Sequence, residues 1–461
     1  MATALPLLLV AATVAWAVGE LSPKSELAAC ISQTGSEGEC QDGRALRIPM
    51  AAAMSPDGKN IYVASQDSNA VAIFDRDLAT GVLHQKSDTA GCVSKDGSEG
   101  PGSRTGGACQ QGRALSQASD VAVSPDGANV YVVSTFPGAI AVFDRDSATG
   151  VLRQQSGAAG CVSDNGSKGA CQRARALVRP AAVVVSPDGK NVYVASEESN
   201  AVAIFVRDPT TGALSQAPGS AGCISETPAG ERCRKGRALE FADGLLISPD
   251  GKNVYVSALN SLAILDRDPD TGALIQKSGF LGCVSKDGRD GCRGGRSLKA
   301  PGGIAVSPDG RNIYRTSDIS NAVTSFDRDV KTGELTSRHQ NDGCIAEIGA
   351  RYGCRDGRAL RDPLAVTVSP DGRSVYVGSF GSDAVAIFSR NPTSGSLTQI
   401  PGRSGCVGEY ITKGCQKKGE IGLPEEIVIS PDGKDVYVVN SGISTLSVFD
   451  RRAPTGKLVP G

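Results

Sequence analysis

Apolar positions occur along this chain in short runs that are separated by turn residues. In the stretch from Ala182 to Gln216, the runs VVVS, NVYVAS, AVAIFVRD and ALSQ are separated by SPDG, SN and PTTG. Each run is too short for a helix, is rich in Val, Ile, Ala and Tyr, and is bounded by Pro, Gly, Asp or Asn. The pattern predicts four short antiparallel strands joined in a β-meander.

This unit recurs seven times, because the tetrapeptide Ser-Pro-Asp-Gly begins at Ser55, Ser124, Ser186, Ser248, Ser307, Ser369 and Ser430. A fixed period indicates stacked units that cannot bury their apolar faces alone. The tetrapeptide suits a tight turn: Pro presets φ, Asp bonds to nearby backbone amides, and Gly tolerates the exit geometry. We expect it to join the first and second strands of each unit.

The third run of a unit, such as Val71–Phe74 or Val202–Phe205, is continuously apolar, which indicates burial on both faces of the sheet. Blades stacked on each other provide such burial. We therefore predict an all-β fold, a seven-bladed β-propeller of four-stranded antiparallel blades around a central channel, as one domain over residues 18–461. An all-β solenoid is the alternative.

Two segments could complete the last blade. Gly19–Ser32 aligns without gaps on Gly212–Ser225, which makes it a displaced fourth strand, and Thr455–Gly461 also resembles a fourth strand. Either would remove an exposed sheet edge. The shorter connection favours the C-terminal segment on grounds of loop entropy.

Residues 1–17 combine an apolar core with the small-residue pattern Ala15-Trp16-Ala17, which predicts a signal peptide cleaved after Ala17. The segment lacks a Lys or Arg ahead of the core, so an uncleaved anchor is the alternative. Because the apolar stretch is short, no stable membrane span is expected.

The fourteen cysteines fall into seven pairs, one per repeat, and their spacing predicts disulfides that close short loops. Zinc would need CxxC spacings or nearby histidines. Each loop closure stabilises its unit by about 2 to 3 kcal/mol, and an oxidising compartment, extracellular or periplasmic, is predicted. The pairs are Cys30–Cys40, Cys92–Cys109, Cys161–Cys171, Cys223–Cys233, Cys283–Cys292, Cys344–Cys354 and Cys406–Cys415.

In the predicted strand order all seven disulfide loops lie on one face, which we call the cystine face. Residues at the start of each first strand then surround the channel mouth. Comparison of the repeats there singles out the four carboxylates Asp120, Asp243, Glu425 and Glu426. Asp120, Asp243 and Glu425 are candidates to hold Ca²⁺ or another divalent cation, which accepts several oxygen ligands. The alternative is solvated or paired loop charges.

Two aromatic residues and a set of arginines are further candidates. Phe136 and Phe380 replace polar residues in loops on the cystine face and could stack on a sugar or aromatic ligand, although isolated exposed aromatics are common. An arginine after the second cysteine could attract an anion or tie its loop to the neighbouring blade. These arginines are Arg44, Arg113, Arg175, Arg237, Arg296 and Arg358.

Several function classes are disfavoured. Only His84 and His339 exist, on outer strands of different blades, so a Ser-His-Asp site is not expected. A net charge of −1 and a pI near 6.2 provide no basic patch for nucleic acid. Asp-x-Asp pairs such as Asp75 and Asp77 are interpreted as solvated strand ends with an arginine between them.

The units SPDGKNVYVAS and SNAVAIFVRD, at Ser186–Ser196 and Ser199–Asp208, resemble those of YVTN-type, lactonase-like β-propellers, over nearly the whole chain. The resemblance implies the propeller fold and, for lactonase-type members, hydrolysis of sugar or dicarboxylic lactones by polar channel residues, often including histidine. This chain departs from that pattern, since it has no histidine on the channel side.

Two functions of different class follow from these features. The main prediction is a secreted, monomeric, non-catalytic scaffold that binds a protein or carbohydrate on the cystine face, and a purely structural wall or matrix role is a third possibility. The alternative is a lactonase-type hydrolase that uses the channel carboxylates with a divalent cation.

Overall fold

The computed structural model describes residues 19–100, 107–227, 232–338, 340–349, 353–408, 414–417 and 420–452. It shows seven separate sheets, which we number as blades 1 to 7 from the first Ser-Pro-Asp-Gly turn. The first strand of each blade contacts the first strand of the next, and blade 7 contacts blade 1. The predicted seven-bladed β-propeller is therefore confirmed. No helix in these ranges has the length and apolar character needed to cross a bilayer.

Each blade has three long antiparallel strands in meander order. The innermost strands are Pro49–Met54, Ala118–Val123, Pro180–Val185, Gly244–Ile247, Ile304–Val306, Pro363–Val368 and Pro424–Ile429. The second strands are Asn60–Ser65, Asn129–Ser134, Asn191–Ser196, Asn253–Ala258, Asn312–Ser317, Ser374–Ser379 and Asp435–Asn440. The third strands are Ala70–Arg76, Ala139–Arg145, Ala201–Arg207, Ser261–Arg267, Ala322–Arg328, Ala384–Arg390 and Thr445–Arg451.

The predicted fourth strand is divided in two, and both parts pair antiparallel with the third strand. The first parts are Leu83–Gln85, Leu152–Gln154, Leu214–Gln216, Leu274–Gln276, Leu335–Ser337, Leu397–Gln399 and, in blade 7, Leu21–Pro23. The second parts are Cys92–Ser94, Cys161–Ser163, Cys223–Ser225, Cys283–Ser285, Cys344–Ala346, Cys406–Gly408 and, in blade 7, Cys30–Ser32.

Short 3₁₀ turns separate the two parts of each outer strand: Asp88–Gly91, Gly157–Gly160, Gly219–Gly222, Gly279–Gly282, Gln340–Gly343, Gly402–Gly405 and Glu26–Ala29. A two-residue strand then pairs parallel with the second part, an addition that the sequence did not predict. These strands are Gln110–Gln111, Gln172–Arg173, Arg234–Lys235, Arg293–Gly294, Arg355–Asp356, Gln416–Lys417 and Gln41–Asp42.

Blade 7 is completed by the N-terminal segment, so the entropic preference for the C-terminal segment was wrong. Leu21–Pro23 pairs with Phe449 to Arg451, and Cys30–Ser32 pairs with Thr445 to Ser447. Lys24 adds an ion pair to the buried Asp435 at 3.1 Å. Loop entropy grows only slowly with loop length, so these contacts outweigh it. Residues 453–461, and the predicted signal peptide, lie outside the described residues.

The Ser-Pro-Asp-Gly turn joins the first two strands, as predicted. In blade 1 the Ser55 hydroxyl accepts the Asn60 N–H at 3.0 Å and donates to Asp57 at 2.5 Å, and Asp57 also accepts the Lys59 N–H. Gly58 has φ of +69°, a conformation that favours glycine. Asp57 therefore stabilises the turn through Oδ1, and its Oδ2 can accept a hydrogen bond from the neighbouring blade.

The donor of that hydrogen bond is a buried arginine at the end of the third strand of the next blade. In blade 3, Arg207 donates from Nη2 to Asp126 of the blade 2 turn at 2.7 Å and from Nε to the Tyr131 hydroxyl at 2.9 Å. Tyr131 in turn donates to the Gly212 carbonyl of blade 3 at 2.7 Å. We call this set of Arg, Asp and Tyr the inter-blade arginine cluster.

The cluster occurs at all seven junctions, with arginines that are only 2 to 6% exposed: Arg76, Arg145, Arg207, Arg267, Arg328, Arg390 and Arg451. Burial raises the pKa of each turn aspartate, such as Asp188, but hydrogen bonds from Ser186 and Arg267 outweigh it and lower that pKa overall. Asp75 and Asp77 lie at the strand end as interpreted, but the arginine between them, Arg76, is buried.

The disulfide loops and the connections between second and third strands share the cystine face. In blade 2 the Ser134 hydroxyl donates to the Ala114 carbonyl, and the Thr135 N–H donates to the Gln117 carbonyl. The arginine after the second cysteine has the predicted local role, because Arg113 donates to the carbonyls of Gln155 and Gly157 in the next blade.

All seven predicted disulfides form, with Cα–Cα distances of 4.8 or 4.9 Å, and the described residues contain no free cysteine. Each joins the second part of the outer strand to the base of its loop. So many disulfides indicate an oxidising compartment.

Replacing Arg207 by Met should lower the free energy of unfolding by about 3 kcal/mol, because Asp126 and the Tyr131 hydroxyl lose a buried partner. Urea denaturation measures the change. The exposed Arg153, replaced in the same way, serves as the control and should change stability by less than about 0.5 kcal/mol. Equal effects of the two substitutions would show that the cluster contributes nothing specific.

Candidate functional site

The central channel is lined by the innermost strands of all seven blades and encloses a cavity of about 580 Å³. A cavity of this size accommodates a small molecule. Most of its lining is small or apolar, including Ala51, Ala182, Gly303 and Ala365. Polar chemistry is therefore limited to a few positions.

The four predicted carboxylates all line this cavity, whereas Phe136 and Phe380 do not. Phe136, 55% exposed, lies in the connection between the second and third strands of blade 2. Phe380 lies in the corresponding connection of blade 6, in the 3₁₀ turn Phe380–Ser382, and is half-buried. Ligand binding by these two aromatics stays a prediction.

Asp120 and Glu426 occupy the same position in blades 2 and 7, and each carboxylate reaches the following blade. Asp120 accepts the Val183 N–H of blade 3 at 2.7 Å and its own neighbour Val121 N–H at 2.7 Å. Glu426 accepts the Ala52 N–H of blade 1 at 2.7 Å through Oε2. The two residues therefore lie in the blades on either side of blade 1, and both line the channel cavity.

Burial raises the pKa of both carboxyl groups into the neutral range. The pKa of Asp120 rises to about 7, mainly through burial, while its two backbone hydrogen bonds act in the opposite direction. Burial raises the pKa of Glu426 to about 8, and the negative charge of Asp120 adds to the effect. Burial therefore favours the protonated form of both carboxyl groups.

Asp243 belongs to a second charged group at the channel wall. Burial raises its pKa to about 7, and the neighbouring Glu197 carboxyl adds to the rise. Arg179, which pairs with Glu197 at 2.9 Å, and Arg315 act in the opposite direction. Glu197 comes from the connection between strands two and three of blade 3, so this group joins blades 3, 4 and 5.

Arg315 was missed by the sequence analysis, although it is fully buried. It replaces a valine of the second strand that the other six blades share: Val63, Val132, Val194, Val256, Val377 and Val438. Its guanidinium donates to the Ser257 and Ser317 hydroxyls and to the Ala258 carbonyl. Burial lowers the pKa of Arg315 to about 10 against the effect of Asp243. The repeat comparison that found the carboxylates would have found it too.

The structure does not bring Asp120, Asp243 and Glu425 together as cation ligands. Glu425 instead accepts a hydrogen bond from the Ser441 hydroxyl at 2.7 Å, and burial raises its pKa. Within the described ranges, no group of three His, Cys, Asp or Glu residues could hold a metal ion. The residues present therefore do not fit the predicted cation.

The arrangement suits acid–base chemistry on a small molecule. A general base or acid works best when its pKa lies near the operating pH, and burial raises the pKa of both Asp120 and Glu426 toward neutral pH. Glu426 Oε1 makes no hydrogen bond with a described residue, so it is available to a ligand. His84 is on an exposed outer strand, far from these groups in the fold, and His339 is outside the described residues.

The family model of the lactonase seven-bladed β-propeller matches residues 103–227, 183–344 and 296–460. These matches together span more than three quarters of the chain. The chain belongs to the lactonase family of seven-bladed β-propellers.

Individual relatives of this lactonase-family chain are distant. A similar sequence is Protein SUPPRESSOR OF QUENCHING 1, chloroplastic, of Arabidopsis thaliana, 25% identical over 314 residues; the match covers 66% of this chain and 28% of that protein. The chain thus spans little more than a quarter of that relative's length.

Solved structures support the fold of the family. A "putative 6-phosphogluconolactonase" from Bacteroides fragilis is similar with a TM-score of 0.53, at 18% identity over 82% of this chain and 86% of that chain. A protein from Lactobacillus plantarum is similar with a TM-score of 0.53, at 17% identity over 81% and 86% of the two chains. At this identity the likeness concerns the fold alone.

The raised carboxyl pKa values predict that stability falls as pH rises. The folded protein holds protons on Asp120, Asp243 and Glu426 up to pH 7 or 8, whereas the unfolded chain releases them near pH 4. Between those limits the folded state binds more protons, so each increase in pH favours unfolding. We expect a lower melting temperature at pH 8.5 than at pH 5.5.

The double variant Asp120→Asn/Glu426→Gln should flatten this dependence, because neither amide can ionise, while each keeps one acceptor oxygen for the N–H of the following blade, Val183 or Ala52. Calorimetry at both pH values measures the slope. Asp270→Asn, at an exposed position, is the control and should leave the slope unchanged. An unaltered slope in the double variant would contradict the assignment of these pKa values.

Proposed function

We propose that this protein hydrolyses a lactone in its central channel, with Asp120 as general base and Glu426 as general acid. The observation that carries the proposal is that Asp120 and Glu426 both line the channel cavity, where burial raises the pKa of each carboxyl group. Membership of the lactonase family supports the reaction class. The hydrolase alternative is thus favoured over the non-catalytic scaffold.

Hydrolysis of a lactone requires a base that removes a proton from water and an acid that protonates the ring oxygen. Ionised Asp120 takes a proton from water as the water oxygen forms a bond to the lactone carbonyl carbon. Protonated Glu426 gives its proton to the ring oxygen as the carbon–oxygen bond of the ring breaks. The product is a hydroxy acid, and one proton transfer restores the carboxyl pair. The cavity of about 580 Å³ is large enough for a monosaccharide lactone.

The same two carboxyl groups also link blades, so their contribution to folding must be separated from catalysis. Asp120 connects blade 2 to blade 3, and Glu426 connects blade 7 to blade 1. Asn and Gln retain an acceptor oxygen for these backbone N–H groups but neither can exchange a proton. The conservative variants therefore remove acid–base chemistry and keep the link.

Each single variant, Asp120→Asn or Glu426→Gln, should lower kcat/KM for a hydrolysed lactone at least 100-fold, since general acid–base catalysis contributes factors of that size. The measurement is pH-stat titration of the acid released from glucono-δ-lactone, γ-butyrolactone and δ-valerolactone, with and without EDTA. The pH profile of the native protein should be bell-shaped with its maximum between pH 7 and 8.

The matched control is Asp270→Asn, which should keep full activity. If the native protein hydrolyses none of these lactones, or if both channel variants remain fully active, the proposal fails. In the first case the scaffold prediction, with a protein or carbohydrate ligand on the cystine face, becomes the better account.

We further propose that the protein is secreted after removal of residues 1–17. The seven disulfides support an extracellular or periplasmic compartment. Mass spectrometry of the mature protein, with an N-terminus at Val18, tests the cleavage directly.

A further inference from the structure

Blade 5 lacks a glutamine that, in five other blades, bridges the outer strand and the linker from the preceding blade. In those five the first part of the outer strand ends in glutamine: Gln85, Gln154, Gln216, Gln276 and Gln399. Gln276 accepts the Arg237 N–H at 2.8 Å and donates to the carbonyls of Arg237 and Gly282, both at 2.9 Å. The glutamine thus fills the space between the outer strand and the linker from the preceding blade.

Blade 5 has Ser337 in place of this glutamine, and its shorter side chain cannot make the bridge. The Ser337 hydroxyl is buried and has no hydrogen-bond partner among the described residues. A pocket of about 380 Å³ opens here, lined by Ser337, Thr324 and the arginines Arg293, Arg296 and Arg338. Thr324 lies on the same face as Ser337, because Ser337 pairs with Phe326, two residues along the third strand.

Arg296 behaves differently from its five equivalents in the other linkers. Those five are half-buried, and each donates to carbonyls in the next blade, as Arg113 does to Gln155 and Gly157. Arg296 is exposed and donates one hydrogen bond to a described residue, the Gly353 carbonyl. Its guanidinium lines the pocket together with that of Arg293.

The pocket is positively charged. Arg293 lies 5.5 Å above the Phe280 ring and donates to the Leu335 carbonyl at 2.9 Å, and these contacts fix its guanidinium. Neither Arg293 nor Arg296 forms an ion pair with a residue in the described ranges, while Arg338 is paired with Asp327. No carboxylate lines the pocket. Two arginines therefore have charge that no described carboxylate neutralises.

We propose that this pocket binds a small ligand that carries an oxyanion, a phosphate, sulfate or carboxylate group, and is no larger than a monosaccharide. Guanidinium groups bind such anions through paired N–H donors. The volume lies in the range of small-molecule sites. The pocket shares no lining residue with the channel, so it is independent of the proposed lactone hydrolysis.

Isothermal titration at constant ionic strength, with chloride as the background anion, tests this site using inorganic phosphate, sulfate and glucuronate, with glucose as the neutral counterpart of glucuronate. We expect at least one oxyanion to bind and glucose not to bind. The variant Ser337→Gln restores the residue of the other blades, fills the pocket and should weaken binding at least tenfold without lowering the melting temperature.

Arg296→Gln should weaken binding to a similar extent and provides a second variant should Ser337→Gln fold poorly. The matched control is Arg358→Gln, which removes the equivalent arginine of blade 6, where Gln399 closes the edge. This control should retain the affinity of the native protein. The proposal is overturned if no oxyanion binds, if glucose binds as tightly as glucuronate, or if binding persists in Ser337→Gln and Arg296→Gln.

Discussion

The buried arginine at the end of each third strand is the interaction on which this ring depends. Its guanidinium joins its own turn glycine, the turn aspartate of the preceding blade and a buried tyrosine, as Arg207 does with Gly189, Asp126 and Tyr131. A buried cation is tolerated only where its charge and donors are satisfied. The same three contacts therefore position every blade against its neighbour and require the ring to close on itself.

Ring closure explains why the N-terminus, not the C-terminus, completes blade 7. Tyr376 needs a carbonyl from the next blade, which a turn glycine supplies elsewhere, and Gly19 supplies it here. In the following junction Asp435 replaces the usual asparagine, and Lys24 balances its charge while Arg76 binds it. Gly19 and Lys24 both come from the N-terminal segment. The junctions on the two sides of blade 7 are therefore complete only when that segment is in place.

The candidate functional residues lie at positions where the blades differ in sequence. Most residues of the channel wall are small or apolar, and the low dielectric environment keeps the protons of Asp120 and Glu426 near neutral pH. At the outer edge of blade 5, Ser337 replaces the glutamine of five other blades, and a pocket lined by Arg293 and Arg296 lies beside it. Both sites arise because a repeat fixes the backbone and permits single side chains to vary.

The sequence by itself determined the repeat, the strands, the turns and the seven disulfides, because each depends on local periodicity or spacing. It also identified the four channel carboxylates, since repeats can be compared with one another. Only the tertiary structure decided which terminus closes the ring and which backbone N–H groups the channel carboxylates accept. It also decided that the arginine beside Asp75 is buried and that Arg315 and Glu197 lie close enough to Asp243 to affect its pKa. These outcomes depend on contacts between blades, where burial and neighbouring charge act at distances that the order of residues along one strand does not specify.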